Sequence, residues 1–194
     1  MKSILTLICV LQLFGNCLAQ NRLQTGLTIG YNSSTFIGHD KPGKGLKSIP
    51  GFYLGGIIKY RINQRFSLLS NVSLGSRGTE INSIGNLYEY VFFLYLDIPL
   101  MVKMNFLSDK KISPYVLLGG AFDYNIQALS ASGGPLYDIK KVDFSLLSGL
   151  GVDIGKLSIG MQYHYGITKF DNSNLQLDLR NSTLSILVGI LFNK

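Results

Sequence analysis

The chain of 194 residues is 46% hydrophobic and only 15% charged, with 22 glycines, no tryptophan and a formal net charge of +7. Its two cysteines, Cys9 and Cys17, fall in an N-terminal apolar stretch, which leaves the rest of the chain no thiol for catalysis, a disulfide or zinc. The basic surplus of an exported chain points to anionic envelope surfaces rather than to nucleic acid.

Residues 1–19 read as a secretory signal peptide. Lys2 supplies the charge, Ile4 to Phe14 the apolar core, and Cys17-Leu18-Ala19 a small-x-small cleavage site, with the cut expected after Ala19. The apolar run is too short for a membrane anchor. A lipoprotein reading would acylate Cys17, but Asn16 before it fits poorly. Residues 20–194 are then expected to form one domain.

That domain parses into eight candidate strands. The first, Leu23 to Asn32, puts Leu23, Leu27, Ile29 and Tyr31 on one face and Gln24, Thr28 and Asn32 on the other. A polar segment, Ser33 to Ser48, reads as a loop. In the second strand, Ile49 to Arg61, Phe52, Leu54, Ile58 and Tyr60 oppose Lys59 and Arg61. After a tight turn at Asn63-Gln64, the third runs from Phe66 to Arg77. Phe66, Leu68, Val72 and Leu74 face one way; Asn71, Ser73 and Arg77 face the other. Gly78 to Leu87 again reads as a loop.

The fourth segment, Tyr88 to Phe106, is the most explicit. Every even position is apolar, while odd positions carry Glu89, Asp97, Lys103 and Asn105. A strand sorts such a period onto two faces, whereas a helix would scramble it. Asp97, Pro99 and Lys103 also interrupt the run of roughly 18 uncharged residues that a membrane helix needs. A long strand with one continuous apolar face suits lipid outside and a polar barrel interior.

Leu107 to Ser113 reads as a short turn, followed by a fifth strand, Pro114 to Ile126. There Val116, Leu118, Phe122 and Tyr124 oppose Asp123 and Asn125. A Gly/Ser-rich loop, Gln127 to Lys140, leads to the sixth strand, Lys141 to Ile154. Its Val142, Phe144, Leu146, Leu150, Val152 and Ile154 face out; Asp143, Ser145 and Asp153 face in. Gly155-Lys156 makes a two-residue hairpin. The seventh strand, Leu157 to Lys169, sets Leu157, Ile159, Met161, Tyr163, Tyr165 and Ile167 against Ser158, Gln162, His164 and Thr168. A loop through Asp171 to Asn181 precedes the last strand, Thr183 to Phe192. There Leu184, Ile186, Val188, Ile190 and Phe192 alternate with Ser185 and Gly189.

Long and short connections alternate, as in an eight-stranded antiparallel up-and-down transmembrane β-barrel. Short turns are then expected on the periplasmic side, with both termini. Tyr31, Tyr88, Tyr90, Tyr124, Phe144, Tyr163 and Tyr165 fall at the outer rim, and Tyr60, Phe66, Phe106 and Phe192 at the inner rim, as two interfacial girdles.

The segments PGFYLGGIIKYRINQRFSL, YLDIPLMVKMNF, ISPYVLLGGAFDYNI, GLGVDIGKLSIGMQYHYGI and STLSILVGILF together resemble the PorT-like outer-membrane β-barrel proteins of Gram-negative bacteroidetes. The most specific piece is aromatic-Leu-acid-Ile-Pro-Leu at Tyr95 to Leu100. The resemblance covers essentially the whole chain after the signal. It implies an eight-stranded barrel in the outer membrane, without implying the secretion-accessory role of the founding member. The last strand, with Gly189 and Phe192, also resembles the signal read by the barrel-insertion machinery, although Asn193-Lys194 follow the aromatic.

The inward face should carry Lys59, Arg61, Arg77 and Lys103 against Glu89, Asp97, Asp123, Asp143 and Asp153. The lumen of eight strands is only wide enough for side chains to fill. The charges are therefore expected to pair as a structural plug, since an unpaired buried ion costs several kcal/mol; a conducting path is the alternative. His164 lies on the same face and could centre a lipid-modifying enzyme, yet no nucleophile sits at a marked position. His39 is too far from it in sequence to suggest a metal cluster. Gly151 to Leu157 mimics a phosphate loop with one residue missing and Leu157 in place of Ser/Thr, and Gly149-Leu-Gly151 has no helix after it. The inward glycines are expected to make room for Tyr53, Tyr95 and Tyr115.

No metal or cofactor is expected. Lys41, Lys44 and Lys47, with Pro42, Gly43 and Gly45 between them, suggest a flexible basic loop facing lipopolysaccharide phosphate. The functional expectation is a structural or interaction protein working through its extracellular loops. Its expected partners are outer-membrane lipids, lipopolysaccharide, the insertion machinery and an envelope protein. The alternatives are the His164-centred enzyme and a soluble lipocalin-like carrier, which would need its polar face outside.

Overall fold

Period-two alternation decides which atoms meet lipid and which meet each other. The computed structural model describes residues 22–38, 46–82, 88–107, 111–130, 140–168 and 179–192; of these, 81, 82, 88, 89 and 130 are described by backbone only. The proposed signal peptide and cleavage site lie outside the described residues.

Eight strands are formed: β1 (Leu23–Gly38), β2 (Leu46–Arg61), β3 (Phe66–Asn82), β4 (Tyr88–Asn105), β5 (Ile112–Ser130), β6 (Val142–Ile154), β7 (Leu157–Gly166) and β8 (Leu179–Leu191). Each pairs antiparallel with its sequence neighbours, and β8 closes on β1, so every edge is satisfied in one closed barrel. The faces sort as the alternation predicts. Leu100, Leu118 and Leu150 are 58%, 68% and 61% exposed, while Asp97 and Asp123 are 0% exposed. An apolar outside around a polar inside rules out the soluble carrier, which needs the reverse.

The strand ends differ from expectation. Ser33 to Ser48 was expected as a loop, but β1 continues to Gly38 and β2 begins at Leu46. Likewise β3 runs on to Asn82, β5 spans Ile112–Ser130, and β8 begins at Leu179. β7 falls short, ending at Gly166, and β4, β6 and β8 each lose one residue, at Phe106, Lys141 and Phe192. The reason is internal pairing of polar residues that look loop-like in sequence. The Ser34 hydroxyl accepts from the Gly78 N–H at 2.7 Å and donates to the Gly78 carbonyl at 3.1 Å. Nearby, the Asn32 amide donates to the Phe52 carbonyl at 3.1 Å. These bonds bridge a register shift between β2 and β3 at Ser48/Tyr53, beside Pro50.

Two further irregularities shape the wall. Ile126 has no partner across β4, since Leu94 pairs with Gln127 and Tyr95 with Asn125, so the β5 alternation slips there. Pro99 has no N–H for the ladder, and the Ser70 hydroxyl donates to its carbonyl at 2.8 Å. At the short-turn end, Gly155 has φ of 62°, the left-handed backbone of a two-residue hairpin. Asn63 Oδ1 accepts from the Arg65 and Phe66 N–H groups at 2.8 and 2.7 Å, closing the β2–β3 turn.

Candidate functional site: a layered lumen

Four layers fill the barrel. Nearest the long-loop end is an apolar cap of Phe36, Val91, Phe93, Tyr95 and Leu179, with Leu46 and Ala128 against it. Phe36 and Phe93 meet edge to face, ring centres 5.7 Å apart. A charged layer around Arg77 follows. Below it lies a second apolar layer of Met101, Tyr115, Leu117, Ala121 and Leu147, and then a charged layer around Asp153.

The upper charged layer is a consequence of register. Asp97 on β4 pairs with Asp123 on β5, which pairs with Asp143 on β6. Three aspartates thus stand side by side facing inward, and like charges directly opposite repel. Arg77 answers them. Its Nη2 lies 2.8 Å from Asp97 Oδ2 and its Nη1 lies 3.3 Å from Asp123 Oδ2. The guanidinium also stacks on Tyr95, 4.9 Å from the ring centre. The Ser145 hydroxyl donates to Asp123 at 2.7 Å. Asp143 is buried but joins no ion pair among the described residues.

His164 belongs to this layer, with Nδ1 at 3.4 Å from Arg77 Nη2. A guanidinium only donates, so this contact makes Nδ1 an acceptor and leaves the proton of the neutral ring on Nε2. The imidazole is 3% exposed, and its Nε2 meets no hydrogen-bond partner among the described residues.

In the lower layer one carboxylate serves two lysines. Lys103 Nζ lies 2.7 Å from Asp153 Oδ1 and 3.6 Å from the Tyr115 ring centre. Lys59 Nζ is 4.0 Å from Asp153 Oδ2, which also accepts from the Asn105 amide at 3.0 Å. Arg61 is half-buried at the barrel mouth and joins no ion pair among the described residues. The Glu89 side chain lies outside the described set. A cavity of about 40 Å³ adjoins Lys59, lined also by Lys103, Thr28, Asn71, Ser158 and Gln162. The space Tyr115 occupies depends on glycine: a Cβ on Gly151 would sit 2.5 Å from its hydroxyl, and Gly160 faces the same group.

Of the basic loop, Lys41 and Lys44 lie outside the described residues. Lys47 is not a loop residue as expected: it stands in β2, with Nζ 3.3 Å from Glu80 Oε1. Arg180, also read as a loop residue, lies in β8. No group of three or more His, Cys, Asp or Glu among the described residues could hold a metal ion. Sequence reasoning missed the apolar cap, although Val91, Phe93 and Tyr95 share the odd parity of Asp97 and Lys103. It also missed Ser34, whose parity continues that of Thr28 and Asn32.

A closed antiparallel barrel with an apolar outside and a charged inside defines a transmembrane barrel of the bacterial outer membrane. Residues 18–172 match the model of the outer membrane protein beta-barrel domain, and the chain belongs to that family. Among solved structures it is similar to Neisserial surface protein A, at 17% identity over 86% of this chain and 96% of that one, with a TM-score of 0.51. It is similar too to Ail, the attachment invasion locus protein of Yersinia pestis, solved with the heparin analogue sucrose octasulfate. That match has 20% identity, covers 88% of this chain and 99% of that chain, and has a TM-score of 0.49. A third is the outer membrane protein OprG of Pseudomonas aeruginosa, at 12% identity, 89% and 95% coverage and a TM-score of 0.48. At such identities the likeness is one of fold. No curated protein matches the chain.

Proposed function

We propose that this outer-membrane barrel is a non-catalytic interaction protein of PorT-like type, whose work is done by its long connections and not by its lumen. The observation that carries this reading is the filling of the lumen. The cap of Phe36, Phe93, Tyr95 and Leu179 sits over the Arg77 layer, and a second apolar layer lies beneath. Such packing opposes conduction, which needs a wet path. It equally opposes a lipid-modifying role for His164, whose ring points away from the lipid and whose Nδ1 faces Arg77.

In this reading the short turns and both termini face the periplasm. The connections 39–45, 83–87, 131–141 and 167–178 face outward, where lipopolysaccharide phosphate or an envelope partner meets them; 83–87 is shorter than 106–111 at the other end, so the expected alternation of long and short does not hold there. Lys41 and Lys44 supply the charge there. Lys47 contributes less, because Glu80 already neutralises it. An envelope-accessory role is the finer form of this proposal; the Tyr95–Leu100 motif supports the PorT-like type and carries no secretion role with it.

The test is binding of the purified barrel to lipopolysaccharide across a salt series. Lys41→Gln/Lys44→Gln should fold normally, judged by heat-modifiable migration, and bind more weakly at low salt, with the difference erased at high salt. Equal binding by parent and variant throughout would remove the basic loop from the account. Altered lipid A on expression of the parent, absent with His164→Ala, would instead make the lumen an active site.

A further inference from the structure

We propose that the cavity beside Lys59 binds a single halide-sized anion. The lower layer sets two ammonium groups against one carboxylate, so it carries an excess positive charge within the barrel. Lys103 takes the close position on Asp153, while Lys59 stands at 4.0 Å, beyond hydrogen-bonding distance. Lys59 is 8% exposed, and its ammonium makes no hydrogen bond among the described residues. The ammonium is open to the adjoining space, so whatever fills that space accepts its protons.

The surplus aspartates of the upper layer do not reach it. Met101, Leu117 and Leu147 lie between the two layers, each at most 5% exposed. What adjoins Lys59 is the cavity of about 40 Å³, with Lys103, Thr28, Ser158 and Gln162 also on its wall. The space admits water-sized spheres and therefore a monatomic anion. The Thr28 hydroxyl stands on the same wall as a donor, while the Ser158 hydroxyl donates to the Tyr115 hydroxyl at 3.2 Å.

The test uses bromide as the probe. Crystals of the intact barrel grown in sodium bromide should show an anomalous peak in contact with Lys59 Nζ. In detergent, Tm should rise with sodium chloride relative to sodium gluconate at equal ionic strength. Lys59→Met should lose that difference, and Lys111→Met, changed at an exposed residue, should keep it. Crystals with only water beside Lys59, or a chloride effect undiminished in Lys59→Met, would overturn the proposal. Should Lys59→Met fail to fold, the bromide peak in the unaltered protein decides alone.

Discussion

The two charged layers of the lumen solve one problem in opposite ways. Around Arg77, one cation stands against three aspartates brought abreast by strand register and pairs with two of them; around Asp153, one carboxylate answers two lysines. The upper layer is the more closely paired, with Arg77 3% exposed and two ion pairs at 2.8 and 3.3 Å. The lower layer is looser, with a cavity and one pair at 4.0 Å. A barrel interior therefore does not have to balance charge locally, but the tighter layer has more to lose from a missing partner.

That asymmetry is breakable by mutation. Arg77→Met should cost about 3–5 kcal/mol, because it strands buried carboxylates. Urea unfolding in detergent micelles measures this, and a cost below that of Lys59→Met would reverse the ranking of the layers. Leu100→Arg places a charge on the lipid side near mid-strand and should cost about 2–4 kcal/mol. Its neighbour Met101 faces inward, so Met101→Leu in the same assay should cost less than about 1.5 kcal/mol. Ser145→Ala removes a hydroxyl that donates to Asp123 and should cost roughly 1.5–3 kcal/mol. Lys59→Met should cost least, below about 1 kcal/mol, since Lys103 keeps Asp153 paired and a stranded partner is what makes such losses large.

Much of the fold was legible because a period of two leaves little freedom. Leu27, Phe52, Leu100 and Leu146 could only face lipid once Gln24, Lys59, Asp97 and Ser145 faced in. The strand ends were less legible: Ser33 to Ser48 is polar enough to read as a loop, yet Ser33–Gly38 pair with β8 and Leu46–Ser48 with β3. The slip at Ile126 left no mark in composition. The division of the lumen was illegible for a deeper reason. Which aspartate meets Arg77 depends on the register of β3, β4 and β5 together, which no single strand encodes. The importance of Ser145 follows from the same register, and sequence alone offers only a small inward hydroxyl.

The central claim is that the lumen is closed by its own side chains, leaving the function to the loops. Single-channel recording in planar bilayers addresses this most directly. The account predicts no conductance steps from the intact barrel, before or after His164→Ala. Stable, ion-selective steps from the unaltered protein would contradict it and make the Arg77 layer part of a pathway.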